Sequence, residues 1–109
     1  MMTLKYRNKI TYADGLCFRS QLEYHRYQEL KLLLQMGLIR NLKTHTRYPL
    51  IVNGVKVGVY EDDFSYDDVG TNQHVVEDAK GGEATKTTVY KLKKKLVKAL
   101  YNIDIIEVE

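Results

Sequence analysis

The 109 residues suffice for one domain with a single core between two packed layers, which excludes a multidomain enzyme. Hydrophobic residues at 44% and charged residues at 28% are globular proportions and exclude a disordered or fibrous chain, and the formal net charge of +3 is only mildly basic. No apolar run approaches the roughly 18 to 20 residues that span a bilayer, so a soluble, intracellular protein with no membrane partner is expected. The lone cysteine, Cys17, can form neither an intramolecular disulfide nor a thiolate zinc cage, and is expected to be packed.

In chain order, residues 1–19 read as an irregular, partly basic lead-in with a turn at Asp14-Gly15. Ser20 followed three residues later by Glu23 has the spacing of a capping box, and Tyr27, Leu30 and Leu34 continue at helical intervals. A helix over about 20–36 follows, with Gly37 placed for a left-handed C-cap. From Leu42 the period becomes two. Asn53-Gly54 between LIV and VKVGVY predicts a type I′ turn joining a strand near 44–52 to one near 55–66, because both central positions of that turn need positive φ. After a turn at Asp67-Asp68 and Gly70-Thr71-Asn72, a third strand over 74–80 ends at Gly81-Gly82, giving a three-stranded meander. A second helix over about 86–101 shows an apolar side of Val89, Leu92, Leu96, Ala99 and Leu100; Asn102 ends it, and 103–108 is a last strand. The order αβββαβ predicts a single α/β domain with a mixed central sheet flanked by helices.

Acid and base are segregated along this order. Glu61, Asp62, Asp63, Asp67 and Asp68 form a carboxylate cluster, whereas Lys86, Lys91, Lys93, Lys94, Lys95 and Lys98 crowd a stretch without acids. Taken singly, such runs are most often solvated faces. Period-two alternation, however, puts Asp78 and Lys80 on one face of the third strand, and Asp63 on the neighbouring strand can converge on Asp78. Two converging carboxylates repel, and Mg²⁺ or Mn²⁺ relieves the repulsion while taking further ligands from water or phosphate. Lys80 would then orient a nucleophile or neutralise developing charge. Glu23 reads equally as a capping partner or as a further metal ligand, since it also continues the stripe that leans toward the sheet. Glu77 should face the other side of the third strand. Lys91, Lys95 and Lys98 recur on one helix face and suit a DNA phosphate backbone, with Lys93 and Lys94 left in solvent. Tyr27, Tyr48 and Tyr66 read as packing residues, and His25, His45 and His74 lack metal-ligand spacing and read as incidental.

Asp63 followed fifteen positions later by Asp78-Ala79-Lys80, within this order of elements, resembles the PD-(D/E)xK nuclease superfamily. Lys5-Tyr6, Asp14-Gly15, Ser20-Gln21-Leu22-Glu23, Asp63-Phe64-Ser65-Tyr66, Val75 to Gly81 and Tyr90 to Leu96 are similar to a family of small phage and prophage proteins within it, akin to endonuclease I-type Holliday-junction resolvases. The resemblance implies a restriction-endonuclease-like fold, Asp63, Asp78 and Glu23 as ligands of Mg²⁺ or Mn²⁺, and Lys80 as the catalytic lysine. It departs from the superfamily pattern in having Asp62 where proline is usual and Asp78 where Glu is commoner. The implied activity is metal-dependent cleavage of DNA in the host cytoplasm. So small a chain favours branched or junction DNA over a base sequence, and paired cuts imply a homodimer. The alternative expectation is a DNA-binding protein that keeps the fold without cutting.

Overall fold

The structure is a computed structural model that describes residues 9–109; Lys5-Tyr6, one of the motifs above, lies outside them. The segment read as an irregular lead-in contains a hairpin, β1 (Thr11–Ala13) and β2 (Leu16–Phe18), closed by Asp14 and Gly15 with φ of 52° and 74°. Its strands are too short for period-two patterning to register. Cys17 lies on this hairpin and is exposed rather than packed, because its neighbour Phe18 takes the inward position.

Helix α1 (Gln21–Gln35) starts where the capping box predicts: the Ser20 hydroxyl accepts from the Glu23 N–H at 3.1 Å. It ends in a Schellman motif, with the Leu38 N–H on the Leu33 carbonyl, the Gly37 N–H on the Leu34 carbonyl, and Gly37 at φ 75°. Leu34, expected on the inward stripe, is exposed, and its neighbour Leu33 packs against the core instead. Strand β3 (Ile39–Thr44) follows at once. It escapes period-two reading because Asn41, at φ 56°, shifts the register against its partner.

The chain then forms β4 (Arg47–Val52) and β5 (Val55–Glu61), joined by Asn53-Gly54 at φ 51° and 78° as the type I′ turn requires. The strand expected over 55–66 is two strands. It breaks at Asp62-Asp63, so β5 stays with β4 while β6 (Phe64–Asp68) joins β3. Asp62 causes the break: fully buried, it accepts from the Thr46 N–H and the Tyr48 hydroxyl, both at 2.8 Å, anchoring the hairpin's base instead of continuing a ladder. Strand β7 (Gln73–Ala79), helix α2 (Thr88–Tyr101) and β8 (Ile105–Val108) complete the chain, with a 3₁₀ turn at Glu83–Thr85 before α2. The main sheet runs β3-β6-β7-β8. Its first three strands are antiparallel, and β8 lies parallel to β7 after the α2 crossover. The αβββαβ order therefore holds, with β3 rather than the 44–52 segment as first strand of the meander. Among the described residues no helix is long and apolar enough to cross a membrane.

Alternation along β6 and β7 divides the core. Phe64 and Tyr66 pack with Phe18, Tyr27, Leu30 and Ile39 beneath α1, while Val76 and Ile105 pack with Leu50, Tyr60, Tyr90 and Val97 beneath α2 and the hairpin. The inward side of α2 is thus Tyr90 and Val97. Val89, Leu92 and Leu100, on the apolar stripe read from spacing, are exposed. Tyr90 and Val97 pack with Leu96 against Leu50, Val76 and Ile105, and the Tyr90 hydroxyl donates to Glu107 at 2.8 Å.

On the α1 face, Glu77 points away from Asp78, as alternation requires, and takes the Arg26 guanidinium in a bidentate pair at 2.7 Å. The Tyr66 hydroxyl also donates to Glu77. This pair cross-braces α1 to the centre of the sheet. Arg26→Met should leave Glu77 buried without a countercharge and lower the unfolding free energy by about 3 to 5 kcal/mol. Urea denaturation checks this, and a midpoint unchanged from wild type would contradict the bracing role.

Candidate functional site

Four chain segments meet where β6 begins and β7 ends. The break after Asp62 delivers Asp63, whose backbone N–H donates to the Glu77 carbonyl at 3.1 Å and whose Oδ2 accepts from the Ala79 N–H at 2.7 Å. Asp78 is the penultimate residue of β7 and is buried. Its Oδ2 accepts from the Tyr60 hydroxyl at 2.8 Å, and its Oδ1 lies 3.1 Å from the Lys80 Nζ. The Lys80 Nζ also sits 4.0 Å from the centre of the Tyr90 ring, and its backbone N–H donates to the Val108 carbonyl at 2.8 Å, prolonging the β7–β8 ladder. The lysine is thus held by a carboxylate, a ring face and its own backbone.

Glu23 sits at the helix entry and also reaches toward the sheet. Its Oε2 accepts from the Arg19 N–H at 3.2 Å at the helix entry, while its Oε1 lies 2.7 Å from His45 Nε2. The capping box sets Glu23 on the first turn of α1, and its side chain is buried. His45 follows β3 at φ 55°, its N–H on the Asp63 carbonyl at 3.2 Å, so this turn carries the imidazole toward the carboxylates. One ligand atom each from Glu23, His45 and Asp63 lies within 4.8 Å of the others.

The four residues expected from sequence, Glu23, Asp63, Asp78 and Lys80, therefore line one cavity of about 550 Å³. His45 lies beside Glu23 and Asp63, although sequence marked it as incidental. No spacing to Glu23 or Asp63 could have found it, since it arrives on a turn that only the β3–β6 pairing places. Lys91, Lys95 and Lys98 lie elsewhere, in a groove of about 490 Å³ beside β8, where Lys98 pairs with Asp104 at 3.0 Å. A second cavity of about 440 Å³ opens onto Asp63, Asp78 and Lys80 between α2 and the β4–β5 hairpin. Its cations besides Lys80 are Arg19, Arg47 and Lys93, and of these three sequence considered only Lys93 and assigned it to solvent.

Crowding these acids perturbs them. The Asp63 carboxyl is pushed from its ordinary 3.8 up to about 8, first by burial, then by the negative charges of Asp78 and Glu23; the Ala79 N–H opposes the rise. Asp63 thus keeps its proton at neutral pH unless a cation replaces it. Burial raises the phenols of Tyr60 and Tyr90 well above the ordinary tyrosine range, so both remain neutral donors. The carboxylate oxygens of Glu23 and Asp63 with the imidazole nitrogen of His45 form a donor set that could hold a metal ion.

The family described as Protein of unknown function (DUF1064) matches residues 3–106 of the chain. Neither a curated protein nor a solved structure matches it.

Without metal, the raised Asp63 carboxyl supports the fold fully below the ordinary carboxylate range and loses that support as pH climbs through about 8. Asp14, Asp67 and Glu83 act in the opposite sense, held low chiefly by hydrogen bonds from Lys31, Asn41 and Lys86, and matter only on acidification. Thermal melts in EDTA should therefore show wild-type stability falling between about pH 5 and pH 8 relative to Asp63→Asn, which has no charge to bury. Parallel curves for the two proteins would contradict the perturbed carboxyl.

Proposed function

The chain belongs to the DUF1064 family, and we propose that it is a divalent-metal-dependent DNA endonuclease acting in the cytoplasm on branched or junction DNA. One observation carries this reading: Glu23, Asp63 and Asp78, from a helix and two neighbouring strands, share a cavity with the anchored ammonium of Lys80. A core fold has little reason to gather three carboxyl groups in one cavity, because each costs free energy when its charge is buried. The arrangement makes sense when the charge is to be neutralised by a cation and a phosphate.

Asp63 and Asp78 would hold Mg²⁺ or Mn²⁺ at the cavity floor, with Glu23 and His45 completing the protein's share of ligands. The ion would supply Lewis-acid polarisation of the phosphodiester and a more acidic bound water. Lys80, held beside Asp78, is positioned to donate to a phosphate oxygen and offset the charge that grows during attack. Tyr60 fixes the carboxylate of Asp78 from behind, so its free oxygen keeps one orientation toward Lys80. The described residues carry one such centre, and two cuts in a junction therefore call for a homodimer.

Supercoiled plasmid and a synthetic four-way junction incubated with Mg²⁺ or Mn²⁺ should be cut, and EDTA should stop the reaction. Asp78→Asn and Lys80→Ala should each lower the rate by roughly a hundredfold or more while leaving DNA binding in place. DNA binding without cleavage under every metal condition would favour the non-catalytic alternative, and normal turnover in either variant would remove the assigned roles.

A further inference from the structure

Helix α2 separates two basic surfaces. Successive residues on a helix are about 100° apart, so Lys93 and Lys95 project to opposite sides of it. Lys95 lies in the groove beside β8 with Lys86, Lys91, Lys94 and Lys98. Three of those five lysines already face carboxylates: Lys86 and Lys94 pair with Glu107 at 3.3 and 3.2 Å, and Lys98 pairs with Asp104. The groove shares no lining residue with the cavity of Asp63 and Asp78. The other side of α2 is different. There Lys93 faces Arg47 of β4 across a trough that reaches Asp63, Asp78 and Lys80, with Arg19 at the junction of trough and cavity. Among the described residues neither Arg47 nor Lys93 has a carboxylate partner, and Arg19 makes only a 3.8 Å contact with Glu61. Val59 and Val89 line the same trough, and Val89 is 62% exposed despite belonging to the helix's apolar stripe.

We propose that the backbone of the cut DNA strand lies in this trough between α2 and the β4–β5 hairpin, its phosphates against Arg47 and Lys93 and the one to be cleaved under Arg19. The Lys91–Lys95–Lys98 face is then not the substrate track. The inference rests on the endonuclease reading and adds the strand's path to it. A strand that delivers a phosphate to Asp63 and Asp78 must leave the cavity by an open side, and the trough is the opening flanked by unpaired cations. Sugars lie against Val89 and the half-buried Val59 at little cost, which gives Val89 a reason to face outward. These contacts are to phosphate and sugar, so they position DNA without reading its sequence.

The test is metal-free binding of a fluorescein-labelled four-way junction by the full chain in EDTA, followed by anisotropy over a range of salt concentrations. The double variant Arg47→Gln/Lys93→Gln should bind roughly tenfold more weakly, with a salt dependence shallower by nearly two phosphate contacts. Lys91→Gln/Lys95→Gln should change affinity by less than about twofold. All four positions are on the surface, and matching thermal melts establish that the variants fold. The reverse pattern, equal losses in both variants, or no loss in the first would overturn the strand path while leaving the endonuclease reading intact. A wild-type chain that binds no junction at any salt concentration would overturn both.

Discussion

Arg26 and Glu77 hold the site together from behind. Glu23 sits one turn before Arg26 on α1, and Asp78 is the next residue after Glu77 on β7, so the bidentate pair sets how far the helix carboxylate stands from those of the sheet. The guanidinium is held even more firmly charged than usual by its hydrogen bonds to Glu77, while burial raises the Tyr66 phenol that donates to the same carboxylate. Buried ion pairs add little net stability, but one with two directional bonds permits a single docking of helix on sheet. A centre made from residues on separate elements needs that precision, since displacement of about an ångström would spoil it.

On the opposite face the sheet accommodates charge that the fold does not need. Asp62 and Asp63 are adjacent and serve unrelated ends. Asp62 spends its oxygens on Thr46 and Tyr48 to anchor the hairpin, and Asp63 faces the cavity with a carboxyl that burial and two neighbouring acids keep protonated. The two residues together turn one run of extended chain into strands of separate sheets. The same turn therefore makes the cavity and places an acid at its edge. Tyr60 and Tyr90 line the region as neutral phenols committed to Asp78 and Glu107, which leaves the anchored ammonium of Lys80 as the donor nearest the acids.

The lysines of α2 illustrate how charge counted along a sequence differs from charge available at a surface. Six lysines in a stretch without acids look like one phosphate-binding face. In the folded chain the helix's lysines divide between its two sides, and the acids missing from the stretch come from Glu107 of β8 and Asp104 just before it, which reach back to Lys86, Lys94 and Lys98. The cations nearest the centre come from positions with no basic neighbours of their own kind, Arg19 before α1 and Arg47 at the start of β4. Exposed ion pairs are weak, yet they compete with phosphate for the same ammonium groups.

Local chemistry determined much of the protein from sequence alone. Ser20 and Glu23 start α1, Gly37 ends it, Asn53-Gly54 turns the hairpin, and the Asp78-Ala79-Lys80 alternation puts acid and lysine on one face. Each depends on interactions within a few residues, so each is legible there. Tertiary structure decided the rest. The break at Asp62-Asp63 depends on Thr46 and Tyr48, more than a dozen residues away. The inward side of α2 was set by Tyr90 and Val97 packing on Leu50, Val76 and Ile105, and His45 met Glu23 only because β3 pairs with β6. Those partners are distant in the chain and close in space, and no periodicity in the sequence encodes a distance of that kind.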